Sequence, residues 1–114
     1  MERQLLIVAC AASAGIHAAL VPQHLEEGLG PGLGFVAATL VLAGVVIALT
    51  ERTAGAVIGA AVVLGGLLAV YVPATTTGLP LLHPEPEPVT VLALVTKAIE
   101  AVGLLAALDL KGRR

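Results

Sequence analysis

Aromatic residues are almost missing from this chain. There is no tryptophan, and Phe35 and Tyr71 are the single members of their types. Belts of Trp and Tyr at a membrane boundary are thereby excluded. Cys10 is the one cysteine, so neither an internal disulfide nor a metal site built on a cysteine pair can form. Charge is scarce as well. Asp, Glu, Lys and Arg make up 12% of the residues, about half of a soluble domain's usual share. A soluble helical protein needs a charged outer face along each helix, and too few charges are present to build one. The basic residues form no patch beyond the short tail Lys111-Gly112-Arg113-Arg114, which argues against a nucleic-acid partner.

What is present is apolar. Hydrophobic residues are 58% of the 114, and mean hydropathy is +1.02. Four long apolar stretches stand at about residues 5–21, 33–50, 54–72 and 89–108. Each is close to the ~20 residues a helix needs to cross a bilayer. Each is apolar almost all round, which fits lipid as the solvent. Backbone amides in hydrocarbon must be paired within their own segment, so all four stretches are expected to be helices. The fold class expected is all-α: a single transmembrane domain over residues 1–114, built as an up-down four-helix bundle.

The basic residues sort by side. Arg3 precedes the first stretch, Arg52 separates the second from the third, and Lys111, Arg113 and Arg114 follow the fourth. The other two connections, 22–32 and 73–88, contain no Lys or Arg; they hold His24, Glu26, Glu27, His83, Glu85 and Glu87. By the positive-inside rule both termini lie in the cytoplasm and these two connections face outward.

Local signals refine the path. Pro22 is expected to kink or tilt the outer end of the first helix, and residues 23–27 can continue it as a short helical extension. The glycine-rich run Gly28-Leu29-Gly30-Pro31-Gly32-Leu33-Gly34 favours irregular backbone. Glu51-Arg52-Thr53 reads as a tight hairpin that makes the second and third helices antiparallel neighbours. Prolines at 73, 80, 84, 86 and 88 favour an extended outer loop, with Pro88 suited to the first turn of the fourth helix. Small residues recur at four-residue spacing, as in Ala11/Gly15, Gly44/Ala48, Gly55/Gly59 and Gly103/Ala107. Such pairs let helix backbones approach closely in lipid, within one bundle or between copies.

Three groups of residues can carry chemistry. On the first helix Cys10, Ser13, His17, His24 and Glu27 share an arc of roughly 100°, and polar groups of a membrane helix should point inward. The tetrapeptide Ile7-Val8-Ala9-Cys10 loosely resembles a lipoprotein processing site, but the apolar run before it is too short. On the fourth helix Lys97 and Glu100, three residues apart, share one face. Counted from Pro88 they lie about 13 and 18 Å deep. An unpaired charge at such depth costs at least ~2.5–3.5 kcal/mol. A lysine stem can lift its ammonium several ångströms outward, to the level of His17. A buried cluster of His17, Lys97 and Glu100 follows, with Ser13 and Thr96 as hydrogen-bonding partners. It is either a neutralised pair that fixes helix register or a ligand or proton site. The third group is outward: His24, Glu27 and His83, with Glu26, Glu85 and Glu87 nearby. Imidazole with carboxylate suits zinc or copper(II), and a solvated acidic loop is the plain alternative. No phosphate-cradling loop, nucleophile elbow, haem-attachment motif or zincin helix is present, so no catalytic residue is assigned.

His17-x4-Pro22-x-His24-x2-Glu27, Gly34-Phe35, Thr77-Gly78-Leu79-Pro80, Glu87-Pro88-Val89 and Glu100 together form a pattern. It resembles a group of small four-helix membrane proteins found mostly in actinobacteria. That resemblance covers most of the chain and implies the topology above, without supplying a reaction. In the group Arg often precedes the Thr-Gly-Leu-Pro segment and an acid often stands near position 97; here these positions are Thr76 and Lys97. The richness in Ala, Gly, Val and Leu points to a GC-rich bacterial genome. The expectation is thus a multi-pass protein of the bacterial cytoplasmic (inner) membrane, with the lipid bilayer as its first partner. It serves either as a small binding or transport protein with an outward His/Glu site, or as a homo-oligomeric or accessory subunit of a larger membrane complex.

Overall fold

The computed structural model describes residues 2–76 and 90–112. Its elements are α1 (Glu2–Glu27), α2 (Leu29–Thr50), α3 (Ala56–Thr76) and α4 (Val91–Gly112). No strand occurs among the described residues. All four helices are long and apolar enough to cross a membrane. The molecule measures 42 × 23 × 22 Å, and its long dimension exceeds the ~30 Å hydrocarbon thickness of a bilayer.

The helices form a ring in the order α1, α2, α3, α4. α1 packs most extensively on α2 and then on α4, α3 packs on α4, and of these neighbouring pairs α2 and α3 touch least. The interior is narrow. Leu6, Cys10, Leu42, Leu49, Ala60, Leu64 and Ala107 are wholly buried. The outside is the more strongly apolar surface: Leu40, Val62, Val91 and Leu105 are each at least 67% exposed. Large apolar side chains turned outward along every helix, with polar ones turned inward, are the distribution that a lipid solvent favours and water penalises.

Two glycines set how close the helices come. A Cβ on Gly103 would stand 2.9 Å from the Ala9 Cβ and 3.0 Å from the Leu64 Cδ1. A Cβ on Gly32 would stand 2.9 Å from the Leu25 Cα and overlap the Leu25 side chain. By contrast Gly55, Gly59 and Gly66 have nothing within 4 Å of an added Cβ, so these three positions leave room for a side chain.

The connections differ from the sequence reading in instructive ways. α1 continues without a break through Pro22 to Glu27, and Gly28 alone interrupts the path before α2 begins at Leu29. The glycine-rich run is therefore helical. Pro31 falls in the first turn of α2, where its missing N–H has no helical acceptor to lose. Gly32 serves close approach to Leu25 rather than chain flexibility. At the other end of α2 the Thr53 amide donates to the Ala48 carbonyl (2.9 Å) and the Arg52 amide to that of Leu49 (3.3 Å). This is a Schellman cap, with Arg52 at φ +57° in the position glycine usually takes. Arg3 on α1 adds a second bond to the Leu49 carbonyl from its guanidinium (3.2 Å), tying α1 to this helix end. α4 starts two residues later than expected. The Thr90 hydroxyl accepts from the Ala93 amide (3.1 Å) as its N-cap. Pro88 and the rest of 77–89 lie outside the described residues.

These contacts gather the described basic residues of the helix ends. Arg3 bonds the last turn of α2, Arg52 is in the turn that follows, and Lys111 lines one shallow recess with Gly55 and Ile58. All three lie at the end of the bundle opposite to His24, Glu26 and Glu27.

Candidate functional site

At the end away from Arg3 and Arg52, the bundle holds a cavity of about 430 Å³, within the range of small-molecule sites. Every helix contributes to it. α1 supplies His17, Leu20, His24 and Glu27; α2 supplies Gly34, Phe35 and Ala38; α3 supplies Leu67, Val70 and Tyr71; α4 supplies Thr96 and Lys97, with its N-cap Thr90 alongside. Aliphatic side chains separate two polar sets, Gln23, His24, Glu27 and Thr90 at the outer end and His17, Tyr71 and Lys97 deeper in.

The deeper set belongs to a connected network. Lys97 Nζ donates to Glu100 Oε1 at 2.6 Å. Ser13 Oγ donates to Glu100 Oε2 at 2.5 Å. His17 Nδ1 donates to the Ser13 carbonyl at 2.7 Å and lies 3.3 Å from Ser13 Oγ. The carbonyl can only accept, so Nδ1 carries a proton, and in the neutral ring Nε2 is left as an acceptor. Glu100 and Ser13 are wholly buried, whereas the Lys97 side chain is 17% exposed. Both ends of the network, Lys97 and His17, line the cavity. Below it Gly103, one turn further along α4, is closed over by Ala9, Leu64 and Leu6.

The sequence-expected cluster of His17, Lys97 and Glu100 thus comes together, and Ser13 is the link between helices. Thr96 does not join it; its hydroxyl donates to the Leu92 carbonyl in its own helix (2.7 Å), the usual resort of an isolated hydroxyl in a helix. Cys10 lies in the apolar core rather than in the cavity.

Two residues that sequence reasoning passed over complete the site. Phe35 stands against both histidines. It stacks on His24 with ring centres 3.6 Å apart and planes at 18°, and lies 5.2 Å from His17. Tyr71 brings its ring to 5.4 Å from Lys97 Nζ, within cation–π range. Its buried hydroxyl has no hydrogen-bond partner among the described residues. The available signal was their rarity: the chain's two carbocyclic aromatics both line one cavity.

The outward metal set is divided. His24 and Glu27 line the mouth of the cavity, with His24 Nδ1 donating to the Leu20 carbonyl at 2.9 Å. His83 lies outside the described residues, as do Glu85 and Glu87. Among the described residues no group of three His, Cys, Asp or Glu is placed to hold a metal ion.

No protein-family model, curated protein or solved structure matches this chain.

Proposed function

We propose that the chain is a small integral membrane binding protein of the bacterial cytoplasmic membrane. Both termini and the Glu51–Gly55 turn face the cytoplasm, and the cavity mouth faces outward. The orientation rests on Arg3, Arg52 and Lys111 gathering at one end of the bundle. The observation that carries the binding role is the cavity itself. Aliphatic walls lead to a few fixed polar groups (His17, Tyr71 and Lys97) and are supported from behind by wholly buried Glu100 and Ser13. This is the composition of a small-molecule site. A lysine–glutamate pair within α4, tied to α1 through Ser13 only to fix register, would not need to border a cavity. Ionisable groups at membrane depth are as a rule functional.

The second reading is a metal ion held at the mouth, favoured by His24 and Glu27 bordering the same opening. Native mass spectrometry of the protein released from mild detergent separates the two. A retained organic mass of one per chain supports the cavity reading. Zinc or copper(II) binding at one ion per chain at pH 7.5, lost by pH 5 as protons displace the metal from imidazole and weakened in His24→Ala, supports the metal reading. Neither adduct, with a larger defined assembly, would instead favour an accessory subunit of a membrane complex.

A further inference from the structure

We infer that the cavity takes a compact, uncharged molecule whose polar head both donates and accepts hydrogen bonds, as a primary amide does. The head donates to His17 and accepts from Lys97. This inference rests on the binding reading above and names the ligand class.

Two side chains that line the cavity have hydrogen-bonding capacity to spare, and they are opposite in kind. The contacts of the His17 ring with Ser13 both involve Nδ1. Nε2, the acceptor of the neutral ring, has no protein partner among the described residues. Nor is it sealed off. The Tyr71 hydroxyl is the one fully enclosed side-chain nitrogen or oxygen among the described residues that lacks a partner. An unpartnered Nε2 therefore keeps accessible surface, and the space that His17 lines is the cavity. Lys97 lines the same cavity from α4 and its side chain is partly exposed. Its ammonium has three N–H donors, and Glu100 takes one. The other two meet no protein acceptor among the described residues. A molecule that satisfies both side chains must offer a donor to one and an acceptor to the other.

Charge sets the second condition. Lys97 is the one Lys or Arg among the described lining residues, and Glu100 matches its charge at 2.6 Å. A neutral His17 adds none. An anion would bring a second negative charge close to a wholly buried carboxylate. A cation would face the Lys97 ammonium. Away from water both repulsions are poorly screened. A neutral head makes the same hydrogen bonds without either penalty.

The remaining lining describes the rest of the molecule. Leu20, Leu67 and Val70 offer it no hydrogen-bonding side chain, so its body is apolar, and a volume of about 430 Å³ keeps it small. At the outer end the exposed Gln23, Glu27 and Thr90 border the same space. That polar surround suits a ligand that arrives dissolved in water.

Calorimetric titration of the full chain in nanodiscs at pH 7.5, with empty nanodiscs as the blank, tests this. Four probes of similar length are used. Hexanamide carries the expected head. Methyl pentyl ketone has the same shape and carbonyl but a methyl group in place of the amide NH₂. Hexanoate is an anion and hexylammonium a cation. Saturable binding of hexanamide at one per chain is expected, about tenfold or more tighter than each of the other three, since an unmet buried acceptor or an unscreened charge costs that much. In the double variant Lys97→Met with Glu100→Leu, whose thermal melt reports its fold, hexanamide should bind about tenfold more weakly, the worth of a hydrogen bond to a charged donor. Its preference over the ketone should survive there, because His17 remains. Equal binding of the ketone removes the donor half of the assignment. Unchanged hexanamide binding in a folded double variant removes the acceptor half. Binding of hexanoate or hexylammonium as tight as that of hexanamide removes the neutrality. Each of these overturns the inference and leaves the binding reading standing, as does failure of every probe while an organic molecule copurifies. If no probe saturates and no organic molecule copurifies, the binding reading fails with it.

Discussion

At the scale of single residues, the structure concentrates its risk in Glu100. This carboxylate is wholly buried and is held by Lys97 and Ser13, and each bond is short. Glu100→Ala leaves the Lys97 ammonium without its counter-charge and Ser13 without its acceptor. Loss of one member of a buried ion pair typically costs ~3–5 kcal/mol, so the variant should melt well below the parent in detergent. Lys97→Met combined with Glu100→Leu should recover much of that loss, because two apolar groups of similar length need no partner. If the single and double variants melt alike, the two side chains are not coupled. The cluster was legible in the sequence because rare charges in an apolar run reveal themselves. Spacing of three put Lys97 and Glu100 on one face, and depth counting brought Lys97 level with His17. Phe35 and Tyr71 were not legible in the same way. On a helix that is apolar all round, periodicity does not tell a ring that faces lipid from one that lines a cavity.

At the scale of the helices, glycine has two distinct jobs, and composition alone does not separate them. Gly32 and Gly103 lie where a neighbouring helix leaves no room for a Cβ, whereas Gly59 faces open space. Gly103→Ala should push α4 from α1 and cost ~1–3 kcal/mol as overpacking does. Gly32→Ala, which meets backbone as well as side chain, should cost at least as much. Gly59→Ala should be neutral or raise stability by roughly 0.5–1 kcal/mol through helix propensity. Thermal melts of the three variants check the order. If Gly59→Ala instead shifts the detergent-solubilised protein to a smaller size in chromatography, α3 is packed against another copy. The same ambiguity explains why the start of α2 was misplaced in the sequence. Glycines at 28, 30, 32 and 34 read as irregular backbone, yet Gly28 alone breaks the helix and Gly32 is there for contact. The other boundaries moved by a few residues for local reasons, such as the Thr90 cap of α4, which periodicity does not register.

At the scale of the whole molecule, the number of helices and their apolar character followed directly from hydropathy. Charge sorting predicts how they sit. Thr76→Cys and Gly112→Cys, placed in turn in a Cys10→Ser background, lie at opposite ends of the bundle. They should react with a membrane-impermeant thiol reagent from opposite faces of intact cells. Labelling of both from the same face would sink the four-crossing arrangement. The depth of the cavity carries one more consequence. Lys97 and His17 both open into it, and beyond Glu100 the side chains of Ala9, Leu6 and Leu64 close around Gly103. Among the described residues the hydrogen-bonded network is thus approached from the cavity alone. A reagent too large for the mouth should therefore spare the Lys97 amine even when the exposed Lys111 is fully modified.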